Sequence, residues 1–305
     1  MRAVVFAYHN VGVRCIQVLL ARGVEIALVV THQDNPAEQI WFDSVAHLCA
    51  EHQIACIAPD DPSTAQVYAQ VRAATPDFIF SFYYRHMLPQ TLLQLAPAGA
   101  FNMHGSLLPK YRGRVPINWA VLYGERMTGA TLHEMAAKPD AGAIVAQTAV
   151  PILPDDTAHQ VFGKVVVAAE MTLWNALPEM LAGRTPRLPN DLSQGSYYGG
   201  RKAADGEIDW RQPAQAIYNL HRAVAPPYPG AWTAINGTVY VIGSARMAAG
   251  TYADLPVGLT VVDNRILGIG SDGRAVAIHQ LLANGIAVTP EQLQKSLHGI
   301  PHSQQ

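Results

Sequence analysis

Short apolar segments alternate with segments of helical spacing through the first half of the chain. The apolar segments are typical of strands buried on both faces, and they lie at residues 3–7, 24–30, 54–57, 77–82 and 99–103. Helices are predicted at residues 13–21, 39–52 and 64–74, with a polar turn at 8–12. This alternation predicts an α/β fold with a Rossmann-like, mostly parallel sheet and helices on both faces.

The pattern changes in the second half. Two more strands are predicted at residues 129–135 and 143–150, followed by a long helix that ends near Ala182. Residues 183–190 carry two prolines and predict a linker, so we expect an N-terminal domain at 1–190 and a C-terminal domain at 191–305. Beyond a helix at 213–224, short strands predict a small β-barrel, and they lie at residues 231–235, 238–242, 259–262, 265–269 and 275–281.

Composition narrows the class of protein. The chain has 305 residues, of which 50% are hydrophobic and 14% charged, which is typical of a globular protein and not of a disordered one. The formal net charge of −2 lacks the basic excess common among nucleic-acid-binding proteins. The cysteines, Cys15, Cys49 and Cys56, have neither disulfide nor zinc spacing. Without a signal peptide or an apolar run of about 18 residues, we expect a cytoplasmic protein that does not insert into membranes.

Three polar residues are predicted to lie at the edge of the sheet where α/β proteins bind their ligands. Asn102 and His104 are two residues apart at the end of a predicted strand, so their side chains point to the same side. In open α/β sheets, ligands bind outside the carboxyl ends of the strands. Asp140 lies in a predicted loop between two strands, with Pro139 before it and Gly142 behind it. We therefore predict Asn102, His104 and Asp140 as catalytic residues.

The same residues resemble the folate-dependent formyltransferases. Asn102-x-His104, then Ser106-Leu107-Leu108-Pro109 and the later Asp140 match the motif of that family in order and spacing. The resemblance implies the formyltransferase fold and a transfer of the formyl group from 10-formyltetrahydrofolate to an amine. It also implies that the histidine transfers protons, that the asparagine stabilises the transition state and that the aspartate raises the pKa of the histidine.

The whole chain is most similar to the formyltransferase domain of the bifunctional ArnA subfamily. The similar segments are residues 6–9, 31–36, 80–86, 95–102 and 140–147, and in the second half 208–210 and 227–232. This resemblance implies an OB-like C-terminal barrel and the nucleotide sugar UDP-4-amino-4-deoxy-L-arabinose as acceptor, on the route to modified lipid A and polymyxin resistance. It implies folate contacts at His86, Met87, Leu88, Arg114, Ala136, Ala137, Lys138, Pro139 and Asp140.

The proposed chemistry needs neither a serine or cysteine nucleophile nor a metal. An amide and an imidazolium can donate hydrogen bonds to the oxygen that gains charge as the amine attacks. An imidazole that titrates near neutral pH can take a proton from that amine and give one to the departing nitrogen. A nearby carboxylate favours the charged imidazole.

Three other functions stay open from the sequence. A methionyl-tRNA formyltransferase would share the catalytic set, but residues 31–42 contain two acids and no lysine or arginine, which disfavours tRNA. A hydrolase that releases formate from the folate and a non-enzymatic binding module are the others. The sequence fixes neither the sugar, nor its nucleotide, nor the oligomeric state.

Overall fold

The computed structural model describes residues 1–36 and 38–299, and these residues form two compact units. The first unit consists of Met1–Pro116, Met127–Pro151 and Phe162–Gly199. The second consists of Ile117–Arg126, Ile152–Val161 and the described residues from Gly200 onward. The expected division at 190/191 stays a prediction of where the domains meet in the sequence.

A seven-stranded sheet organises the first unit, in the order β3-β2-β1-β4-β5-β7-β8. Up to residue 199 the strands are β1 (Arg2–Ala7), β2 (Glu25–Val30), β3 (Cys56–Ile57), β4 (Phe78–Phe82), β5 (Gly99–His104), β6 (Arg112–Gly113), β7 (Met127–Glu134), β8 (Ile144–Pro151) and β9 (Tyr197–Tyr198). The pairs from β3 to β5 are parallel, whereas β7 runs antiparallel to both β5 and β8. The mostly parallel α/β sheet predicted from the sequence is therefore confirmed. The short strands β6 and β9 pair separately, in parallel.

Burial on both faces explains why the central strands are apolar. Every residue of β4 is buried, and so is every residue of β1 after Arg2. Leu28, Ile79 and Tyr84 belong to one hydrophobic cluster on a face of this sheet, and Leu88 and Ala100 extend that cluster. A strand in this position has no solvent face, so the sequence shows a continuous apolar run instead of an alternating one.

The helices show where the sequence pattern was wrong. Up to residue 199 they are α1 (His9–Ala21), α2 (Val45–Glu51), α3 (Ala65–Ala73), α4 (Gln90–Leu93), α5 (Pro116–Leu122) and α6 (Ala158–Leu181). The predicted turn at residues 8–12 is helical from His9 onward, and the Gly12 N–H bonds to the carbonyl of Tyr8, the residue that precedes the helix. The predicted helix at 39–52 begins only at Val45, where the Ser44 side chain caps it.

An antiparallel sheet dominates the second unit. Its strands are β10 (Ala231–Ile235), β11 (Thr238–Met247), β12 (Gly258–Val262), β13 (Arg265–Ile269), β14 (Ala275–Ala283) and β15 (Ile286–Ala287), and its helices include α7 (Ala214–Val224) and α8 (Pro290–Leu297). The order is β10-β11-β14-β13-β12, with β15 beside β14. This arrangement confirms a small C-terminal β domain. Within residues 200–299 the order leaves β10 and β12 as its two ends, so the pairing describes a partly open barrel.

No helix in the described part of the chain is both long enough and apolar enough to cross a membrane.

Candidate active site

The strand β5 brings the first two predicted catalytic residues to the middle of the sheet. It lies between β4 and β7, so Asn102 has Ser81 on one side and His133 on the other. His104 is the last residue of β5 and is only 6% exposed. Asn102 and His104 therefore lie on the strand at which the sheet changes from parallel to antiparallel pairing.

A backbone carbonyl fixes the ring of His104. The Nε2 atom of His104 lies 2.8 Å from the carbonyl oxygen of Tyr111. A carbonyl can only accept, so Nε2 carries the proton and donates it to this bond. The neutral ring then has its lone pair on Nδ1, and this atom lies 3.6 Å from Oδ1 of Asp140. The basic nitrogen of His104 thus faces the carboxylate.

The loop between His104 and Tyr111 is held by hydrogen bonds that involve three side chains. Ser106 donates to the Lys110 carbonyl at 2.7 Å, and Thr131 donates to the Ser106 carbonyl at 2.6 Å. Gln147 donates to the Leu108 carbonyl at 2.9 Å. Thr131 and Gln147 lie on β7 and β8. The antiparallel half of the sheet therefore supports the loop that places the Tyr111 carbonyl against His104.

Asp140 reaches the site from a loop that a glycine makes possible. Its Oδ2 atom accepts a 2.8 Å hydrogen bond from the Gly113 N–H, and its own carbonyl accepts one from the Asn190 side chain at 3.0 Å. A Cβ atom at Gly142 would lie 2.0 Å from the Glu134 carbonyl oxygen. Only a glycine allows these two chain segments to pass so close to each other. Their close packing places Asp140 beside His104.

His133 completes the site, and the sequence pattern did not identify it. It is 1% exposed, and its Nδ1 atom lies 2.8 Å from the Glu134 carbonyl, which makes Nδ1 the protonated nitrogen. Its Nε2 atom therefore accepts from the Asn102 amide nitrogen at 3.1 Å, and it lies 3.5 Å from Oδ1 of Asp140. The alignment of β7 against β5 places His133 here, and only knowledge of that antiparallel pairing could have predicted it.

The pKa of His104 lies below its ordinary value although Asp140 works to raise it. Burial is the main cause and lowers the pKa of His104 below its ordinary value of 6.5. The Asp140 charge and the Tyr111 carbonyl work to raise it, as the resemblance implied for the aspartate, but they do not outweigh burial. His104 is consequently neutral at pH 7 and ready to accept a proton.

Asp140 stays ionised in the same environment. Burial is the largest single influence and works to raise the pKa of Asp140. The positive charge of a protonated His104, the hydrogen bond from the Gly113 N–H and the neighbouring His133 ring together hold that pKa below its usual range. The site therefore pairs a neutral imidazole with a fixed negative charge.

The residues predicted to contact folate are mostly exposed. Of the first segment, His86 and Met87 are exposed, and Leu88 packs into the same hydrophobic cluster as Met135. Ala136, Ala137 and Lys138 are exposed, and Pro139 is half-buried. Arg114 is exposed, and its backbone N–H donates to the Tyr198 carbonyl at 2.9 Å. Their role in folate binding stays a prediction.

Comparison with known families decides the class of the protein. Residues 1–177 match the family described as formyl transferase, and residues 201–298 match the formyl transferase C-terminal domain. The chain belongs to the formyl transferase family. The expectation of a formyl-transferring enzyme with a second, smaller domain is thereby confirmed.

Solved structures of other proteins, two of them named as formyltransferases, share this fold. An N-formyltransferase from Helicobacter canadensis, in complex with folinic acid and dTDP-3-aminofucose, is 18% identical, with a TM-score of 0.71 over 91% of this chain and 98% of the other. WlaRD, a sugar 3N-formyltransferase crystallised with dTDP and 5-N-formyl-THF, is 18% identical, with a TM-score of 0.73 over 94% and 98%. HypX from Aquifex aeolicus, in complex with tetrahydrofolic acid, is 18% identical, with a TM-score of 0.66 over 98% and 48%.

The folate expected as co-substrate agrees with the ligands of these relatives. The described residues of this formyltransferase contain no cluster of His, Cys, Asp and Glu side chains arranged to hold a metal ion. The triad predicted from sequence is brought together around His104, with His133 as a fourth member.

Proposed function

We propose that this formyltransferase moves the formyl group of 10-formyltetrahydrofolate to the amine of a nucleotide sugar, and that the acceptor is UDP-4-amino-4-deoxy-L-arabinose. One observation carries the proposal: in a chain of this family, Asp140 lies 3.6 Å from the neutral imidazole of His104 and 3.5 Å from His133, and His133 in turn contacts the Asn102 amide. Such a set suits acyl transfer from one nitrogen to another.

Asn102 supplies the hydrogen-bond donor for the carbonyl under attack. A side-chain amide nitrogen has two N–H groups. His133 accepts one of them, which orients the amide and leaves the other free to donate to the formyl oxygen. A donor held in this way stabilises the charge that develops on oxygen without having to reorganise.

His104 moves the proton between the two nitrogens. Its Nδ1 atom takes the proton that the attacking amine loses, and gives a proton to N10 of the folate as the carbon–nitrogen bond to N10 breaks. The bond between the amine and the formyl carbon forms in the same sequence, so the products are an N-formyl sugar and tetrahydrofolate. Asp140, at 3.6 Å from Nδ1, stabilises the imidazolium that exists between the two transfers.

The predicted folate residues offer a surface that fits a reduced pteridine ring. Met87 is 63% exposed beside the buried Leu88, which gives an apolar side chain at the surface next to a packed one. The loop at Ala136–Lys138 carries small or exposed side chains, so its backbone groups are accessible to polar atoms of the ring. Relatives of the same fold are crystallised with folinic acid and 5-N-formyl-THF, which supports this choice of co-substrate.

An aromatic cluster beside the catalytic residues supports a nucleotide sugar as acceptor. It consists of His9, Trp41, Phe42, Tyr83 and Phe162. His9 stacks on Phe42 with ring centroids 3.8 Å apart, and Trp41 and Phe162 pack edge-on against it at 4.7 and 4.6 Å. Tyr83 brings the cluster next to His104, since a Cβ atom on Gly105 would lie 2.1 Å from its hydroxyl oxygen. Aromatic walls of this kind are typical of sites for small organic ligands.

The relatives support a nucleotide sugar as the acceptor class, and the choice of sugar rests on the resemblance to the ArnA subfamily. The Helicobacter enzyme is crystallised with dTDP-3-aminofucose and WlaRD with dTDP. The tRNA alternative is disfavoured because Asp34 accepts a 2.7 Å hydrogen bond from Tyr8 and Glu38 binds the Arg85 guanidinium at 2.9 Å. This segment presents carboxylates where a tRNA-binding loop would need cations.

An acceptor panel tests the proposal. The full chain is incubated with 10-formyltetrahydrofolate and either UDP-4-amino-4-deoxy-L-arabinose, a dTDP-linked amino sugar or methionyl-tRNA, and formation of tetrahydrofolate and of the formylated product is measured. We expect the highest kcat/KM with the UDP sugar. A preference for tRNA, or equal folate turnover without any amine, would contradict the proposal, and a preference for the dTDP sugar would keep the reaction but change the nucleotide.

A further inference from the structure

Two of the three cysteines lie in contact although they are seven residues apart. Helix α2 carries Cys49 and ends at Glu51, and Gln53, with φ 55°, turns the chain back into β3, where Cys56 is the first residue. The Ile54 N–H closes this turn by donating to the Cys49 carbonyl at 2.8 Å. The turn brings the two thiols together, and they form a hydrogen bond with each other.

The two thiols differ in access to small molecules. Cys49 is fully buried, whereas Cys56 is half-buried and lines a cavity of about 360 Å³. Tyr8, Thr31, Asp34 and Ser44 line the same cavity, which lies at the carboxyl ends of β1, β2 and β3. A reagent of small size can therefore approach Cys56 and not Cys49. Both cysteines lie outside the group of residues assigned to formyl transfer.

The two thiols also differ in acidity. The hydrogen bond donated by Cys49 is the main cause that lowers the pKa of Cys56, because it stabilises the thiolate. The same bond is the main cause that raises the pKa of Cys49. Thiolate character and exposure make a cysteine reactive. Cys56 is thus suited to react first and Cys49 to react second.

We propose that Cys49 and Cys56 form a reversible disulfide, with Cys56 as the thiol that reacts with a small disulfide such as oxidised glutathione in the cavity. The Cys56 thiolate attacks one sulfur of glutathione disulfide, its S–S bond breaks, and one glutathione thiolate leaves. Cys49 then loses its proton and attacks the Cys56 sulfur of the mixed disulfide, and the second glutathione leaves. The two cysteines lose two electrons together, and one glutathione disulfide becomes two glutathione thiols.

The bond would join α2 covalently to the edge strand of the large sheet. Ser44, Val45 and Ala46 at the start of α2 line the cavity together with Cys56 and Ile57 from β3. Oxidation would therefore fix two walls of one cavity against each other. This consequence depends on the positions of the two cysteines alone and holds whatever the acceptor of the formyl group is.

Cys15 provides an internal control. It is fully buried in α1, and burial is the main cause that raises its pKa. The reduced full chain is incubated in glutathione buffers of graded composition, quenched with acid, alkylated after denaturation and analysed by intact mass and peptide mapping. We expect the wild-type protein to lose two hydrogen atoms and to keep one alkylatable thiol, at Cys15.

The variants separate the two steps. Cys49→Ser should accumulate one glutathione adduct on Cys56, Cys56→Ser should show neither adduct nor disulfide, and Cys15→Ser should oxidise like the wild type. Three free thiols in the wild type across the whole buffer series would overturn the proposal, and this readout does not depend on the folding of any variant. A stable glutathione adduct in the wild type, as in Cys49→Ser, would equally overturn it, because Cys49 would then be unable to complete the exchange.

Discussion

The buried histidines of the candidate site and the predicted folate loop lie in contrasting environments, although His133 stands only three residues before Ala136. His104 and His133 are 6% and 1% exposed, and each has one nitrogen bonded to a backbone carbonyl. Ala136, Ala137 and Lys138 are exposed. The contrast teaches that the chemistry depends on side chains fixed by burial, whereas the co-substrate would be held largely by the backbone.

The largest effect should come from removing the proton-transfer group. His104→Ala should lower kcat/KM by about 10³-fold, because general acid–base catalysis contributes roughly 10²–10⁴-fold. The measurement is steady-state formation of tetrahydrofolate with a saturating acceptor. His86→Ala, an exposed histidine of the predicted folate segment, is the matched control, and equal losses in both variants would contradict the contrast.

Removal of the amide donor should have the second-largest effect on activity. Asn102→Ala should lower kcat by roughly 10²- to 10³-fold, the usual cost of losing one donor to a developing oxyanion. Because the donor acts mainly in the transition state, KM should change little. A large rise in the KM of either substrate with an unchanged kcat would instead assign Asn102 to ground-state binding.

The orienting residue should have a smaller effect of the same kind. His133→Ala leaves the Asn102 amide without the acceptor that it has at 3.1 Å. We expect kcat to fall by about 10²-fold, the order of loss that follows misplacement of a catalytic group. His133→Gln, whose side-chain oxygen can accept the same hydrogen bond, should recover part of this loss. No difference between the two variants would show that His133 only fills space.

The pH dependence tests the link between Asp140 and His104. Burial lowers the pKa of His104 from 6.5 and Asp140 works to raise it, so the acid limb of kcat/KM should lie below pH 6.5 in the wild type. Asp140→Asn removes a cause that raises this pKa, and the limb should move to still lower pH while the plateau falls about tenfold to 10²-fold. A limb that moved to higher pH would contradict the raising influence of Asp140, and a wild-type limb above pH 6.5 would show that burial is not the dominant influence on His104.

The smallest effect should be seen in the exposed loop. Lys138→Ala removes an exposed side chain, and it should change the KM for the folate by no more than about fivefold, since exposed charge contacts are worth roughly 1 kcal/mol or less. Substrate titration at constant acceptor measures this. A rise of tenfold or more in the KM for the folate would mean that the lysine side chain itself binds the co-substrate.

The sequence predicted the parts of this protein that depend on local pattern and missed those that depend on pairing. The strands β1, β4 and β5 were recognisable because burial on both faces leaves an uninterrupted apolar run. Asn102 and His104 could be placed at the end of such a strand, and Asp140 in a loop, from spacing alone. His133 could not, because its role follows from the antiparallel register of β7 against β5.

Helix starts were harder for a related reason. Thr64 caps α3 by accepting a hydrogen bond from the Val67 N–H, and the helix predicted at 64–74 was found at Ala65–Ala73. The start of α1 has no side-chain cap, and His9 stands at φ 68°, so residues 8–12 resembled a turn. The net shift in the pKa of His104 could not be predicted from the sequence either, because it depends on how deeply the ring is buried and not on its neighbours in sequence.

The hydrogen bond between His104 and the Tyr111 carbonyl has a consequence for how this enzyme can change over time. Every residue type at position 111 would present the same oxygen, so no point mutation there deletes the group that decides which imidazole nitrogen is basic. Only a change that shifts the main chain would disturb it, such as one at the supporting Thr131 or Gln147, or a proline at position 111, where φ is 57°. The tautomer therefore depends on the path of the main chain and not on the side chain at position 111.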